Sequence, residues 1–323
     1  MSNQHMGRAS NSRPFVLITV AMIFSSCLKR PAPPELRAPE EIPIPQPTQR
    51  DGSSWQTFGK ELRTREEAER ILRQIMKDYE VSALSVAVKQ DSSRERHRVG
   101  RSYFFSLGVQ DPATGKVIDG NTVFRAGILS QPLFGYLVLR LANAQRIDID
   151  RALHEYLDRP LSDYPEYADL KGDSRWKRLT ARLILAHRSG LINSRLAHPD
   201  KRLTFVSSPG KEFGYSEEGF RLLQFVLEKM FRRPLNEIAK IVVYSRLSLS
   251  HTSFVWEPRF EGHLAVPAGV DIASEREQGA DAAGSLITTA SNFLAFTHLV
   301  LNQGGMLNAP VTAAYFLPEI KIR

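Results

Sequence analysis

The chain of 323 residues has little of what several protein classes depend on. It carries one cysteine, Cys27, so no internal disulfide can form and no stapled framework can substitute for a core. Its eight histidines show no pair at metal-ligand spacing, and no His-Glu-x-x-His occurs, so the residues point to no metal. No glycine-rich phosphate loop is present, and the residues imply no cofactor. The net charge of +8 is spread along the chain, as in Lys201-Arg202 and Arg232-Arg233, without an aromatic-interleaved basic stripe. That pattern is a solvated surface and argues against a nucleic-acid partner.

Apolar runs are short as well. The longest near the start, FVLITVAMIF (15 to 24), is too short to span a bilayer as a helix. Arg8 and Arg13 precede it, and Ser25 and Ser26 lead from it into Cys27. A cationic start, an apolar middle and small residues at a cleavage point form the pattern of an export signal. A lone cysteine directly after such a run resembles the bacterial lipoprotein signal, which implies lipid attachment at Cys27. It also implies an exported, membrane-anchored or periplasmic location. An ordinary secretory signal or short anchor is the alternative.

Residues 31 to 47, PAPPELRAPEEIPIPQP, hold seven prolines in seventeen residues. Proline lacks the amide donor and fixes φ, so this segment suits neither helix nor central strand. Extended at ~3.1 Å per residue it would reach about 50 Å, enough to hold a folded domain clear of a membrane surface. The chain therefore divides into a signal over 1–27, a proline-rich tether over 28–61 and a folded domain over 62–323.

Within that domain, Thr64 and Glu67 have capping-box spacing, and Ala68, Ile71, Leu72, Ile75, Met76 and Tyr79 repeat at helical intervals. Residues 84–89 and 102–109 read as strands of a hairpin with a charged tip, and 111–116 as a turn. From Pro132 onward Leu133, Phe134, Leu137, Val138 and Leu141 define another helix, which Ser130 is placed to cap. Mostly helical patterns follow through residues 179–191 and 219–231, then a loop-like stretch, then a helix within 284–305. A helix, a hairpin and a helical insertion define an α+β fold.

Five stretches carry a family resemblance: NTVFRAG (121–127), the helix after it ending in QRIDID (145–150), LILAHRSGL (183–191), SSPGKEFGYSEEGFRLL (207–223), and SLSHTSF (248–254) followed by AAGSLITTASNFLAF (282–296). In this order they resemble the serine β-lactamase and penicillin-binding-protein superfamily, specifically the class C-like serine hydrolases. The resemblance implies a β-lactamase/transpeptidase-like fold, with an antiparallel sheet flanked by helices and a mostly helical subdomain. It implies a nucleophilic serine in a Ser-x-x-Lys motif at a helix start, whose lysine eases removal of the hydroxyl proton.

The alignment places Ile128 at that serine and Gln131 at that lysine. A hydrocarbon cannot attack, and a neutral amide is neither a base nor a cation. The family's Tyr-x-Asn falls on Tyr215 and Glu217, so a carboxylate replaces the amide. That carboxylate should disfavour phenolate and repel an anionic substrate. His187, in the third stretch, reads as a core histidine. No residues after Gly305 supply the late Lys-Thr-Gly or His-x-Gly strand, so the sheet is expected to be short of its C-terminal strands.

Three functional expectations follow. The first is a non-acylating pseudoenzyme in the cell envelope. The second is an active esterase, D-alanyl-D-alanine carboxypeptidase or β-lactamase with a displaced site using Ser130 and Tyr215. The third is a scaffold whose groove binds peptidoglycan peptides, or a small ester or amide, without chemistry. The Ser-x-x-Lys spacings at Ser174–Lys177 and Ser208–Lys211 lack the helix-start setting that would make a nucleophile.

Overall fold

The computed structural model describes residues 17–20, 55–57, 60–62, 64–90, 101–266, 276–303 and 307–316. Cys27 and the proline tract of 31–47 lie outside them, as does the tip of the hairpin at 91–100. The elements in chain order are strands β1 (Leu17–Val20), β2 (Trp55–Thr57) and β3 (Lys60–Leu62), helix α1 (Arg65–Asp78), strands β4 (Ala83–Gln90), β5 (Arg101–Asp111), β6 (Lys116–Val117) and β7 (Phe124–Gly127). Then come helices α2 (Ser130–Asn143), α3 (Ala181–Leu185), α4 (Glu217–Phe231) and α5 (Leu235–Ala239), strand β8 (Leu286–Thr288), and helices α6 (Ala290–Gln303) and α7 (Ala309–Phe316). Short 3-10 turns fill the stretch between α2 and α3.

The expected capping at the first helix is present: Glu67 N donates to Thr64 Oγ1 at 3.1 Å. The expected hairpin is β4 with β5, antiparallel over eight residue pairs from Ala83 with Gly108 to Gln90 with Arg101. The main sheet runs β1-β4-β5-β6. Alternation of side chains across a strand explains its two packed faces. Val86, Val88, Phe105 and Leu107 meet α1 through Ala68, Leu72 and Met76, while Ala87 and Phe104 meet Ala290 and Leu294 of α6.

Two features add to the reading of the N-terminal residues. β2 and β3 form a small antiparallel hairpin at the end of the segment read as a tether. β1, inside the apolar run read as an export signal, pairs antiparallel with β4. Among the described residues, no helix is long and apolar enough to cross a membrane.

The helical subdomain holds the main core. Leu133, Phe134, Leu137, Val138 and Leu141 are buried as their spacing predicts, and Tyr136 and Leu139 are buried too, so α2 is enclosed on most sides. Phe134 packs on Phe220 of α4, and Tyr136 meets Phe296 of α6 edge to face at 5.5 Å. Of the residues after Gly305, the described ones, 307–316, carry α7.

Candidate functional site

The site is set by how the chain passes from β7 into α2. β7 pairs with β8, and its register slips between Arg125 and Gly127, where a bulge turns the strand. Gly127 has φ +52°, a left-handed conformation that suits glycine. The turn lifts Ile128 to 63 % exposure and drives the next residues inward. A branched hydrocarbon thus stands in solvent where the family resemblance implies a nucleophile.

Ser130 behaves differently from the cap expected of it. It is the first residue of α2, Leu129 occupies the cap position, and no side chain caps the helix there. The Ser130 hydroxyl donates to Gly127 O at 2.6 Å and accepts from Leu286 N at 2.9 Å. Its exposure is 0 %, so it is a buried tie between the turn and β8.

Gln131 points toward the family's tyrosine. Its Nε2 donates to Tyr215 Oη at 2.7 Å and, more weakly, to Ala283 O at 3.4 Å. Tyr215 lies in a loop laced to residues 187–190 by Gly214 N to His187 O, Gly210 N to Arg188 O and Val206 N to Gly190 O, each at 2.8 Å. Gly190 is required there: its φ is +74°, and a Cβ would sit 2.4 Å from Ser207 O. The Tyr215 ring stacks on His187 at 4.6 Å. His187 is itself at φ +52° and accepts from Ser216 N through Nδ1 at 3.2 Å. That bond assigns the remaining proton to Nε2.

Burial pushes the Tyr215 phenol above its ordinary value. Glu217 and Asp281 push the same way, against the donation from Gln131 and the charge of Arg221. The carboxylate at 217 therefore disfavours phenolate, as the substitution predicts. Burial holds His187 below the usual histidine value, so it is neutral near pH 7.

Glu217 opens α4, whose cap is Ser216 accepting from Gly219 N. Its carboxylate takes Arg221 Nη2 at 2.8 Å. Arg221 also binds Asp281 at 3.0 Å and lies 3.6 Å from Glu218, which Arg195 holds at 2.9 Å from the other side. Asp281 Oδ1 in turn accepts from Ala283 N at 2.9 Å, and the Ala283 carbonyl returns to Gln131. The start of α2, the start of α4 and residues 281–283 are thus laced by polar contacts in which Gln131, Glu217 and Asp281 each hold a protein partner.

The structure brings Gln131, Tyr215 and Glu217 together: Gln131 bonds Tyr215 and the Glu217 charge acts on it, while Ile128 is exposed and Ser130 is buried in the turn that leads to Gln131. Arg221 and Asp281 were not singled out from the sequence. The i,i+4 spacing of Glu217 and Arg221 is a local signal for that pair, whereas Asp281 lies sixty residues away and left none. The Ser174 and Ser208 spacings fall in a 3-10 turn and in the loop before Tyr215. Among the described residues, no group of three or more His, Cys, Asp or Glu side chains is arranged to hold a metal ion.

A family model described as Beta-lactamase matches residues 68–318, and the chain belongs to that family. A curated beta-lactamase of Providencia stuartii is 24 % identical over 198 residues, which are 58 % of this chain and 47 % of that one. The chain spans about half the length of this curated relative. Among solved structures, a beta-lactamase/D-alanine carboxypeptidase of Pseudomonas syringae matches with a TM-score of 0.57 at 17 % identity, over 76 % of this chain and 67 % of the other. A D-alanine carboxypeptidase of Burkholderia cenocepacia gives 0.57 at 17 % identity, over 78 % and 68 %. A class C beta lactamase of Rhodobacter sphaeroides gives 0.56 at 17 % identity, over 77 % and 68 %. These likenesses establish the β-lactamase/transpeptidase-like α+β fold.

Proposed function

We propose that this protein is a non-acylating member of its family, exported and lipid-anchored through Cys27, that binds a peptide or a small ester or amide in a cleft beside Gln131 and Tyr215 without forming a covalent bond to it. The observation that carries the reading is the pair at the start of α2: Ile128 exposed to solvent, and Gln131 donating to the oxygen of Tyr215. Acyl transfer needs a nucleophile beside a group that takes its proton. A hydrocarbon and a carboxamide supply neither.

The rest of the cleft supports the same reading. Glu217 and Asp281 are each ion-paired to Arg221, so their oxygens are engaged by the protein itself. Tyr215 keeps its proton and, with Gln131 donating to its oxygen, offers that proton to an acceptor such as a ligand carbonyl. The chemistry left is recognition. Peptidoglycan peptides are the ligand class suggested by the solved D-alanine carboxypeptidase relatives.

A displaced nucleophile at Ser130 finds no support in the geometry, since its hydroxyl proton is committed to Gly127 O and its side chain is enclosed.

The test is paired. Purified protein is offered a chromogenic cephalosporin and a chromogenic ester, and a D-alanyl-D-alanine-terminated peptide is titrated calorimetrically. No turnover above blank, with peptide binding that Tyr215→Phe weakens without abolishing, is the expected result. Turnover above blank with either substrate would overturn the reading. For the anchor, labelled palmitate should enter the expressed chain and be lost in Cys27→Ser.

A further inference from the structure

Without β1 the main sheet would end on β4, and what covers that edge is unusual. β4 reads ALSVAVKQ, with one charge in eight residues, and its inner side is fully paired with β5. An exposed strand of this composition, with a row of free amides and carbonyls, is a template for further pairing. Here the edge is occupied by the chain itself: Leu17 pairs with Lys89, Ile18 with Val88, Thr19 with Ala87 and Val20 with Val86. The covering residues lie inside the run FVLITVAMIF, which has no charge, proline or glycine and is rich in β-branched residues. That composition suits an edge-covering strand as well as it suits a signal segment.

We infer that the outer edge of β4 is a strand-docking surface whose occupant is residues 17–20 of this chain. The segment with the pattern of an export signal therefore has a second seat in the folded domain. The two uses exclude each other. Ladder bonds to β4 fix the backbone of 17–20 against the sheet, whereas reading by an export system needs that backbone free. Recognition is by main-chain hydrogen bonds, as in strand addition generally. The inference does not rest on the binding reading, but it competes with anchoring at Cys27: cleavage before that cysteine removes residues 17–20, so the seat is filled only in the uncleaved chain.

Hydrogen exchange read by mass spectrometry on the full chain tests it. In the wild type, residues 17–20 are expected to exchange at least tenfold more slowly than an unstructured segment, together with the alternate amides of Val86–Lys89 that face away from β5. Thr19→Pro removes a donor in mid-strand and should speed the outer β4 amides at least tenfold, leaving α2 and α4 protected. Ser10→Pro, outside the paired residues, should change nothing. Unstructured-chain exchange at 17–20 in the wild type overturns the inference without recourse to any variant. So does unchanged protection of 86–89 in Thr19→Pro. If that variant is dimeric with β4 still protected, the edge belongs to a second copy, and the assignment to residues 17–20 fails.

Discussion

Around α2, α4 and α6 one cluster of buried side chains runs from Ala126 to Val300, whereas the sheet is held by clusters of only a few residues, such as Ala68, Val86, Val88, Phe105 and Leu107 on one face and Ala87, Ala290 and Leu294 on the other. The polar lacing around Tyr215 and Arg221 is anchored on the helical side, at the starts of α2 and α4. The start of α2 keeps its buried contacts, while Ile128 and Gln131 stand at the positions the family motif implies for serine and lysine. Ile128 is exposed, so the substitution leaves the core intact, and Gln131 still reaches Tyr215. The two kinds of residue leave the same turn in different directions, Ile128 outward and Ser130 inward.

The contrast can be broken by substitution. Phe134→Ala should cost about 3–5 kcal/mol in urea unfolding, because it opens a cavity in the enclosed centre of the helical core. Leu107→Ala in the sheet should sit nearer about 2 kcal/mol, since a thin cluster relaxes more easily. Equal losses would show that both halves share one core. Arg221→Leu leaves Asp281 and Glu217 without their guanidinium and weakens the setting of Glu218, which is 2 % exposed. About 2–3 kcal/mol is expected, discounted because Arg221 and its partners other than Glu218 are part-exposed.

Ser130→Ala is a finer probe. It removes the acceptor of Leu286 N and the donor to Gly127 O, so a loss of about 1–3 kcal/mol is expected from an amide left buried without a partner. A loss of a few tenths would return Ser130 to the status of a surface helix-start residue.

The smallest effect is in pH. Burial depresses the pKa of both His187 and His251 in the folded chain, with Arg259 and His263 adding to the shift at His251. Above the unfolded value of about 6.5 both states are neutral and stability is whole. Below it the unfolded chain takes up protons first, so stability falls as pH drops toward the folded values. The urea midpoint should decline from pH 7 to pH 5, and His187→Gln should flatten part of that slope.

Much of the fold was legible because its signals are local. The Thr64 cap, the α1 and α2 stripes and the β4–β5 hairpin each follow from spacing within a dozen residues or so. The positions of Ile128, Gln131, Tyr215 and Glu217 came from the family motifs, and the effect of Glu217 on the tyrosine from charge alone. What escaped was set by long-range contact. Ser130 was read as a cap because helix-start serines cap, yet its partner Leu286 is 156 residues away. Asp281 reaches the site across sixty residues, and β1 pairs with a strand some seventy residues later. No local period announces such partners.

The central claim is that the start of α2 cannot be acylated. Intact-protein mass spectrometry after prolonged incubation with excess benzylpenicillin, beside a penicillin-acylated relative as positive control, tests it most directly. The account predicts an unchanged mass; a stoichiometric penicilloyl adduct, at any side chain of the cleft, would contradict it.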